Sequence, residues 1–447
     1  MTNKTIFAQS SAKGKAGVAV FRISGGLSLL IVERLCGKFN IVPRKVYYRT
    51  IRCYITSQVI DKALIVYFQG EYSFTGEDVV EIHTHGSVAV AKMLTRSILE
   101  CDGVRLAEPG EFAKRAFLNG KMDLTMAEGL VDLIESETLM QHKQAIRQMG
   151  GELEKLYSHW RGMLIKILSF VEGYIDFPDE EIPQSVLREA KSIINNLTQE
   201  ISNHLGDARK GEVLRHGIVL AITGETNTGK SSLLNYLTMR EAAIVSDIPG
   251  TTRDVIEAHL DIGGYPIIVR DTAGIRESDD PIEQEGIKRS LLAFKNSDIR
   301  ILMIDATNMN SVNQTIAHLL NDVYTILVIN KIDLVNYRYD GSRLPCDKPI
   351  VAISLLKQVG LDRLMAEIVS YAEKIADPGN VPAITRERYR NSLNQALELL
   401  QLVNLENDLV LAAEDLRMAI RYLEHITGKI KIDDILAEIF ASFCIGK

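Results

Sequence analysis

Apolar positions recur along this chain with two different periods, and the change of period divides it. Up to about residue 119, short apolar runs are separated by turn residues. Gly17 to Ile23, Ala63 to Phe68 and Val79 to His83 read as strands. Leu27 to Leu35, Val88 to Leu99 and Glu111 to Leu118 read as helices, the last entered through the Pro109-Gly110 turn. From about Met122 the period lengthens to that of a helix. Leu153, Leu156, Trp160, Met163, Leu164, Ile167, Leu168 and Val171 fall at three- and four-residue steps, an amphipathic stripe. Phe177-Pro178 to Pro183 interrupts it, and Val186 to Leu205 resumes it through Ile193, Ile194, Leu197 and Ile201. The helical period returns over Arg386 to Leu402, Ala412 to Ile426 and Asp433 to Phe443.

Between the two helical stretches the apolar runs are short and end in polar loops. Ile218 to Thr223, Pro266 to Val269, Ile299 to Asp305, Tyr324 to Ile329 and Pro349 to Ser354 predict a parallel α/β sheet. The helices on either side need each other's apolar faces. The pattern therefore predicts a multidomain α/β chain: an α+β domain at 1–119, a helical domain split into 120–214 and 378–447, and an α/β domain at 215–377 inserted at a helix–helix connection. Its 447 residues suffice for such a division.

Composition changes this picture little. With 46% hydrophobic and 24% charged residues the chain is ordinary for a soluble protein. A net charge of −7 and the lack of any basic block give no electrostatic sign of nucleic acid. The start at Met1 has no charged-then-apolar signal and no apolar run approaches ~18 residues, so a cytoplasmic protein with no membrane partner is expected. Cys36, Cys53, Cys101, Cys346 and Cys444 are odd in number and contain no CxxC pair, which favours free thiols over disulfides or zinc. His83 and His85 alternate on one strand face. Without a third ligand nearby they read as a pair lining a cleft rather than a metal site.

The strand ends carry the chemistry. Ile218 to Thr223 runs into Gly224-Glu225-Thr226-Asn227-Thr228-Gly229-Lys230-Ser231 and then an apolar helix, Ser232 to Leu237. Strand, glycine turn and helix N-terminus are the parts of a phosphate-binding loop. Gly224 and Gly229 let backbone N–H groups face inward where side chains would obstruct phosphate. Lys230 is placed for the β- and γ-phosphate oxygens and the Ser231 hydroxyl for Mg²⁺. A plain glycine-rich turn would share this pattern, so the boxes that follow decide. Thr251 and Thr252 lie in a loop that can bring a hydroxyl to Mg²⁺. Asp271-Thr272-Ala273-Gly274 can meet the Mg²⁺ shell and the γ-phosphate. Asn330-Lys331-Ile332-Asp333 ends another strand, and the Asp333 carboxylate can accept from both N1–H and the 2-amino group of guanine. Adenine lacks both donors and would leave a buried acceptor unpaired. Four boxes in this order specify a guanine-nucleotide domain. After the third stands Ile275, where small GTPases of the Ras type carry a water-orienting Gln. Hydrolysis must then recruit a cation, a nearby acid, or both.

At this point the chain resembles the bacterial tRNA-modification GTPases of the MnmE (TrmE) family, over essentially its whole length. The likeness includes AVFRISG from Ala19, FTGEDVVEIHTHG from Phe74, AEPGEFAKRAFLNGKMDL from Ala107, SDIPGTTRD from Ser246, DTAGIRES from Asp271 and the terminal FCIGK from Phe443. The resemblance implies an amino-terminal folate-binding-like α+β domain and a Ras-like P-loop GTPase domain inserted in a helical domain. It also implies a homodimer that works with the flavoprotein MnmG, in a heterotetramer, on C5 of the wobble uridine (position 34) of certain tRNAs. The group added is of the carboxymethylaminomethyl or aminomethyl type. The one-carbon unit would come from 5-formyltetrahydrofolate or a related reduced folate, contacted at Arg22, Glu81, Lys121 and Lys447. Cys444 matches a position near the modification chemistry, and Glu283 the catalytic acid that orients water through a second water. K⁺ would be held by Asn227, Ser246, Ile248 and Thr251, and Mg²⁺ by Ser231 and Thr252. GTP contacts are expected from Asn227, Thr228, Gly229, Lys230, Ser231 and Ser232, and from Ser246, Asp247, Ile248, Pro249, Gly250 and Thr251. Asp271, Thr272, Ala273, Gly274, Asn330, Lys331 and Asp333 complete the set. Two positions depart from the family pattern: Thr226 stands where Pro is usual, and Leu355 after Ser354 where Ala is usual. A ribosome-assembly GTPase switch is the alternative from another class. It would usually bring an RNA-binding module such as a KH domain with a GXXG loop in basic surroundings. A membrane-remodelling GTPase would need a lipid-binding apolar or polybasic segment. Neither feature stands in this sequence.

Overall fold

The computed structural model describes residues 4–177, 184–207, 209–240, 257–271, 297–308, 324–335, 349–377, 379, 381–406 and 408–430, with 436, 439–441, 443 and 446 near the end. The chain divides into two compact units, Met1–Val131 with Glu154–Arg161 and Ile420–Lys447, and Asp132–Leu153 with Gly162–Ala419.

The first unit is built on β1 (Thr5–Gln9), β2 (Ala16–Ser24), β3 (Val46–Arg52), β4 (Val59–Phe68), β5 (Val79–Gly86) and β6 (Val104–Leu106), in the order β3-β4-β5-β2-β1-β6. All neighbours are antiparallel except β1 and β6. Its helices are α1 (Ser28–Cys36), α2 (Val88–Leu99), α3 (Glu111–Leu118) and α4 (Leu124–Glu135). Alternation sorts the faces of the sheet. Phe21, Ile23, Ile65, Val80 and Ile82 are buried with Ile31, Val32 and Leu35 of α1 and Leu94 and Ile98 of α2. Arg22 and Glu81, one step out of phase with these residues, face the other way and stand opposite each other in the β2–β5 register. Leu124, Ala127 and Val131 of α4 meet Leu436, Phe440 and Phe443, so the end of the chain packs onto this unit.

The second unit holds the other sheet: β7 (Ile218–Gly224), β8 (Glu257–Ile262), β9 (Tyr265–Asp271), β10 (Ile299–Asp305), β11 (Thr325–Asn330) and β12 (Ile350–Ala352), in the order β12-β11-β10-β7-β9-β8. The five strands expected from the sequence form the parallel part of this sheet, and β8 adds an edge that was not expected. β12 to β9 are parallel, but β8 runs antiparallel to β9. Gly263 and Gly264, at φ 62° and 88°, make the tight connection that only a hairpin requires. The remaining helices are α5 (Leu139–Met149), α6 (Glu152–Asp176), α7 (Gln184–Leu205), α8 (Lys210–His216), α9 (Lys230–Arg240), α10 (Leu361–Ala376), α11 (Glu387–Leu402) and α12 (Leu409–Thr427). Trp160, Leu164, Ile167 and Val171 of the predicted stripe are buried. α7, before the sheet, packs against α11, after it. The buried Arg390 of α11 ties them, donating to the Leu205 carbonyl (2.8 Å), Asp207 (2.7 Å) and Glu212 (3.1 Å). The helix predicted over Asp433 to Phe443 lies mostly outside the described residues.

Candidate functional site

β7 is buried and parallel on both sides, which aims its carboxyl end at the loop that follows. That loop can only be made with glycine at two places. Gly224 has φ 151°, and a Cβ there would stand 2.3 Å from the Met303 carbonyl oxygen. Gly229 has φ 101°, and its Cβ would stand 2.4 Å from Asn330 Nδ2. Asn227 takes the left-handed region at φ 64°, which Asn tolerates better than most residues. Lys230 Nζ donates to the carbonyls of Gly224 and Glu225, at 3.0 and 2.7 Å, and so stays within the loop.

Asn330 links this loop to the segments that carry Asp333 and Leu355. Its Nδ2 donates to the Thr228 carbonyl at 2.8 Å, and its Oδ1 accepts from the Leu355 N–H at 3.3 Å. The Ser354 hydroxyl donates to Asp333 Oδ1 at 2.5 Å. Leu355, the departure from the family pattern, packs against the phosphate loop, with its Cδ1 3.4 Å from where a Cβ on Gly229 would stand. Together these residues wall a cavity of about 510 Å³. Asn227, Gly229, Lys230, Ser231 and Ser232 line one side, and Asn330, Lys331, Asp333, Leu334, Leu355 and Leu356 the other. That size suits a nucleotide. A groove of about 630 Å³ beside α2 is larger, but gathers none of the box residues. Ser354 was legible in the sequence through its neighbour Leu355, where the family pattern usually has Ala. Asp305, 2.6 Å from Lys331 Nζ, was not, although it ends a strand beside Asn330.

The other predicted nucleotide and metal positions are not in view. Ser246 to Thr252, Thr272 to Gly274 and Glu283 lie outside the described residues. Asp271 ends β9 in register with Ile222, and its side chain also lies outside them. Among the described residues no three His, Cys, Asp or Glu side chains stand together as a metal site. Nor is any helix among them long and apolar enough to cross a membrane.

In the first unit the predicted folate residues are partly gathered. Arg22 Nε and Nη2 both donate to Glu81 Oε1, at 3.0 and 2.9 Å, and His83 Nε2 stands 3.3 Å from Glu81 Oε2. The Arg22 guanidinium lies over the rings of Phe74 and Phe112, with 5.6 and 5.8 Å to their centroids. Their side chains are only 22% and 18% exposed, so Arg22 and Glu81 are not the surface charges that bare sequence would suggest. The Lys121 ammonium donates instead to the Glu71 carbonyl. His85 turns to Asp61 at 2.8 Å, so the two histidines serve different carboxylates. Cys444 and Lys447 lie outside the described residues, whereas Phe443 and Gly446 of the same motif are described. Phe443 and Phe74 border one apolar cluster. The Ser10 hydroxyl donates to the Gly446 carbonyl at 3.0 Å, and a Cβ on Gly446 (φ 104°) would stand 2.7 Å from the Gln9 carbonyl oxygen. Gln9 follows Ala8, the register partner of Arg22, so Gly446 stands beside the strand pair that carries Arg22.

The chain matches two family models: the TrmE N-terminus of GTP-binding proteins over residues 5–121 and the MnmE helical domain over 124–444. It is 96% identical to the tRNA modification GTPase MnmE of Orientia tsutsugamushi (strain Boryong) over 447 residues, all of both chains. It is 55% identical to the protein of the same name from Rickettsia bellii (strain RML369-C), covering 99% of this chain and 100% of that one. The Rickettsia rickettsii (strain Sheila Smith) protein is 54% identical at the same coverage. On these matches the chain belongs to the MnmE family of tRNA modification GTPases.

Proposed function

We propose that this chain hydrolyses GTP at a K⁺-assisted centre and couples that hydrolysis to modification of C5 of the wobble uridine, position 34, in certain tRNAs. It does so as a homodimer with the flavoprotein MnmG, in the cytoplasm, using a one-carbon unit from a reduced folate. Residues 1–119 are the folate domain, 120–214 and 378–447 the helical domain, and 215–377 the GTPase domain. The observation that carries the reading is the cavity with a phosphate loop on one wall and Asp333, held by Ser354, on the other. Such a cavity accepts a purine nucleotide, and a fixed carboxylate selects guanine.

The residues fit the proposed cations. The Ser231 hydroxyl and Asn227 amide line the cavity, and oxygen donors of this kind suit Mg²⁺ and K⁺. K⁺ would supply positive charge for the phosphates, a part that an arginine plays in other GTPases. Lys230 binds the phosphates, Asp333 orients the base, and Glu283 positions the attacking water that Ile275 cannot. In the first unit, Arg22 offers a cation backed by Phe74 and Phe112, and Glu81 offers acceptors for pterin N–H groups. Mass spectrometry of tRNA nucleosides from cells lacking this protein tests the proposal. The C5-modified wobble uridines should vanish and return with the unaltered gene. Their persistence would refute the assigned substrate.

A further inference from the structure

In the base-reading loop, Asn330 braces the phosphate loop and Asp333 leans on Ser354, while Lys331 lines the cavity with its charged end held elsewhere. Its ammonium meets the carboxylate of Asp305, Nζ to Oδ2 2.6 Å. Its backbone stands at φ 64°, a region costly for a long side chain. Asp305 closes β10 directly beside Asn330 in the β10–β11 register. Its other oxygen, Oδ1, accepts from the Thr307 N–H and hydroxyl at 2.9 and 2.8 Å. The carboxylate is therefore fixed by its own turn before it fixes the lysine. The pair is partly withdrawn from water, with side chains 32% and 18% exposed. Such a geometry is worth more than a chance surface contact.

We propose that Asp305 is a positioning residue for guanine nucleotides: by tethering Lys331 Nζ, it lays the lysine stem along the cavity as a fixed apolar wall for the purine ring. The proposal rests on the guanine-site reading above. A lysine stem covers apolar surface well once its charged end is satisfied elsewhere. An untethered lysine would lose its rotamer freedom each time a base arrived, whereas a tethered one has already lost it. Asp333 then reads the edge of a ring whose plane Lys331 has set. A plain strand-end tie would act differently, on the sheet and hence on the phosphate loop as well.

The test uses the full chain and compares binding of GDP with binding of inorganic pyrophosphate, which has no base. Asp305→Ala and Asp305→Asn should weaken GDP by roughly three- to tenfold, the cost of ordering one long side chain. Pyrophosphate binding and the thermal midpoint should hold. Lys331→Ala should lose at least as much GDP affinity, and the Asp305→Ala/Lys331→Ala double variant no more than Lys331→Ala alone. Should Asp305→Ala fold poorly, Asp305→Asn, which keeps the shape and an acceptor for Thr307, carries the test. Undiminished GDP affinity, parallel losses of GDP and pyrophosphate, or additive losses in the double variant would each overturn the proposal. Asp333→Asn is the separate control. If it leaves GDP binding intact, the guanine-site reading itself fails, whatever Asp305 does.

Discussion

Asp333 can read guanine only if its carboxylate is held edge-on, and the Ser354 hydroxyl 2.5 Å away does the holding. An amide in its place would present a donor where guanine already donates. Asp333→Asn should thus weaken GTP by roughly 1–3 kcal/mol, the cost of an unpaired polar group, and turn preference toward xanthine nucleotides. Competition between GTP and XTP for the full chain checks this, and unchanged selectivity would remove Asp333 from the role. A comparable argument applies to Arg22, whose guanidinium is shared between Glu81 and two aromatic rings. A reduced folate should raise the melting temperature, since a ligand selective for the native state must, and Arg22→Ala should abolish that shift. Melting indifferent to excess folate would refute the folate assignment and leave the GTPase untouched.

Elements set the conditions under which such residues work. The phosphate loop depends on Gly229, where a methyl would press on the Asn330 amide that braces Thr228. Gly229→Ala should impose roughly 1–3 kcal/mol of strain on the loop, read as about five- to 150-fold weaker GTP binding. Unaltered binding would mean that the loop is looser than its contacts imply. The helical pair α7–α11 brings a pH dependence instead. Burial beside Arg390 pushes the His204 imidazole down from its ordinary 6.5 to about 4, despite the opposing pull of Asp207. The folded form therefore refuses a proton that the unfolded chain accepts. Stability from this group is intact above pH 6.5 and is lost as pH falls from 6.5 toward 4, by up to about 3 kcal/mol. Denaturant titrations between these pH values should show a shallower acid loss for His204→Leu than for the unaltered chain.

For the molecule as a whole, Ile275 requires that hydrolysis depend on something Ile cannot supply. If that is K⁺, GTP turnover at fixed ionic strength should be faster in KCl than in NaCl, because ions of equal charge differ in size and hydration and a site suited to the larger one holds the smaller less well. Asn227→Ala should lose the K⁺ response while binding nucleotide. Glu283→Ala should lower turnover by roughly 10²–10⁴-fold, the range for a water-positioning group. Equal rates in both salts would refute the cation mechanism.

Local signals carried much of this chain. The strand, glycine turn and helix around Gly224 to Ser231 and the helical stripe could be read directly, because each depends on residues a few positions apart whose backbone the residue types themselves dictate. The strands β1, β3 and β6 escaped such reading. Val46 and Tyr48 of the edge strand β3 are 56% and 62% exposed, so β3 lacks the one-sided burial that makes alternation visible. β8 escaped as well, and with it the antiparallel edge of the second sheet. What tertiary structure alone decided are the meetings of distant residues: Arg22 with Glu81 by strand register, Gly446 with Ser10 by the returning C-terminus, and Asp305 with Lys331 at adjacent strand ends. No pattern in a linear window encodes these, because register and packing are chosen by the burial of whole faces, and only after that choice do the polar pairs find each other.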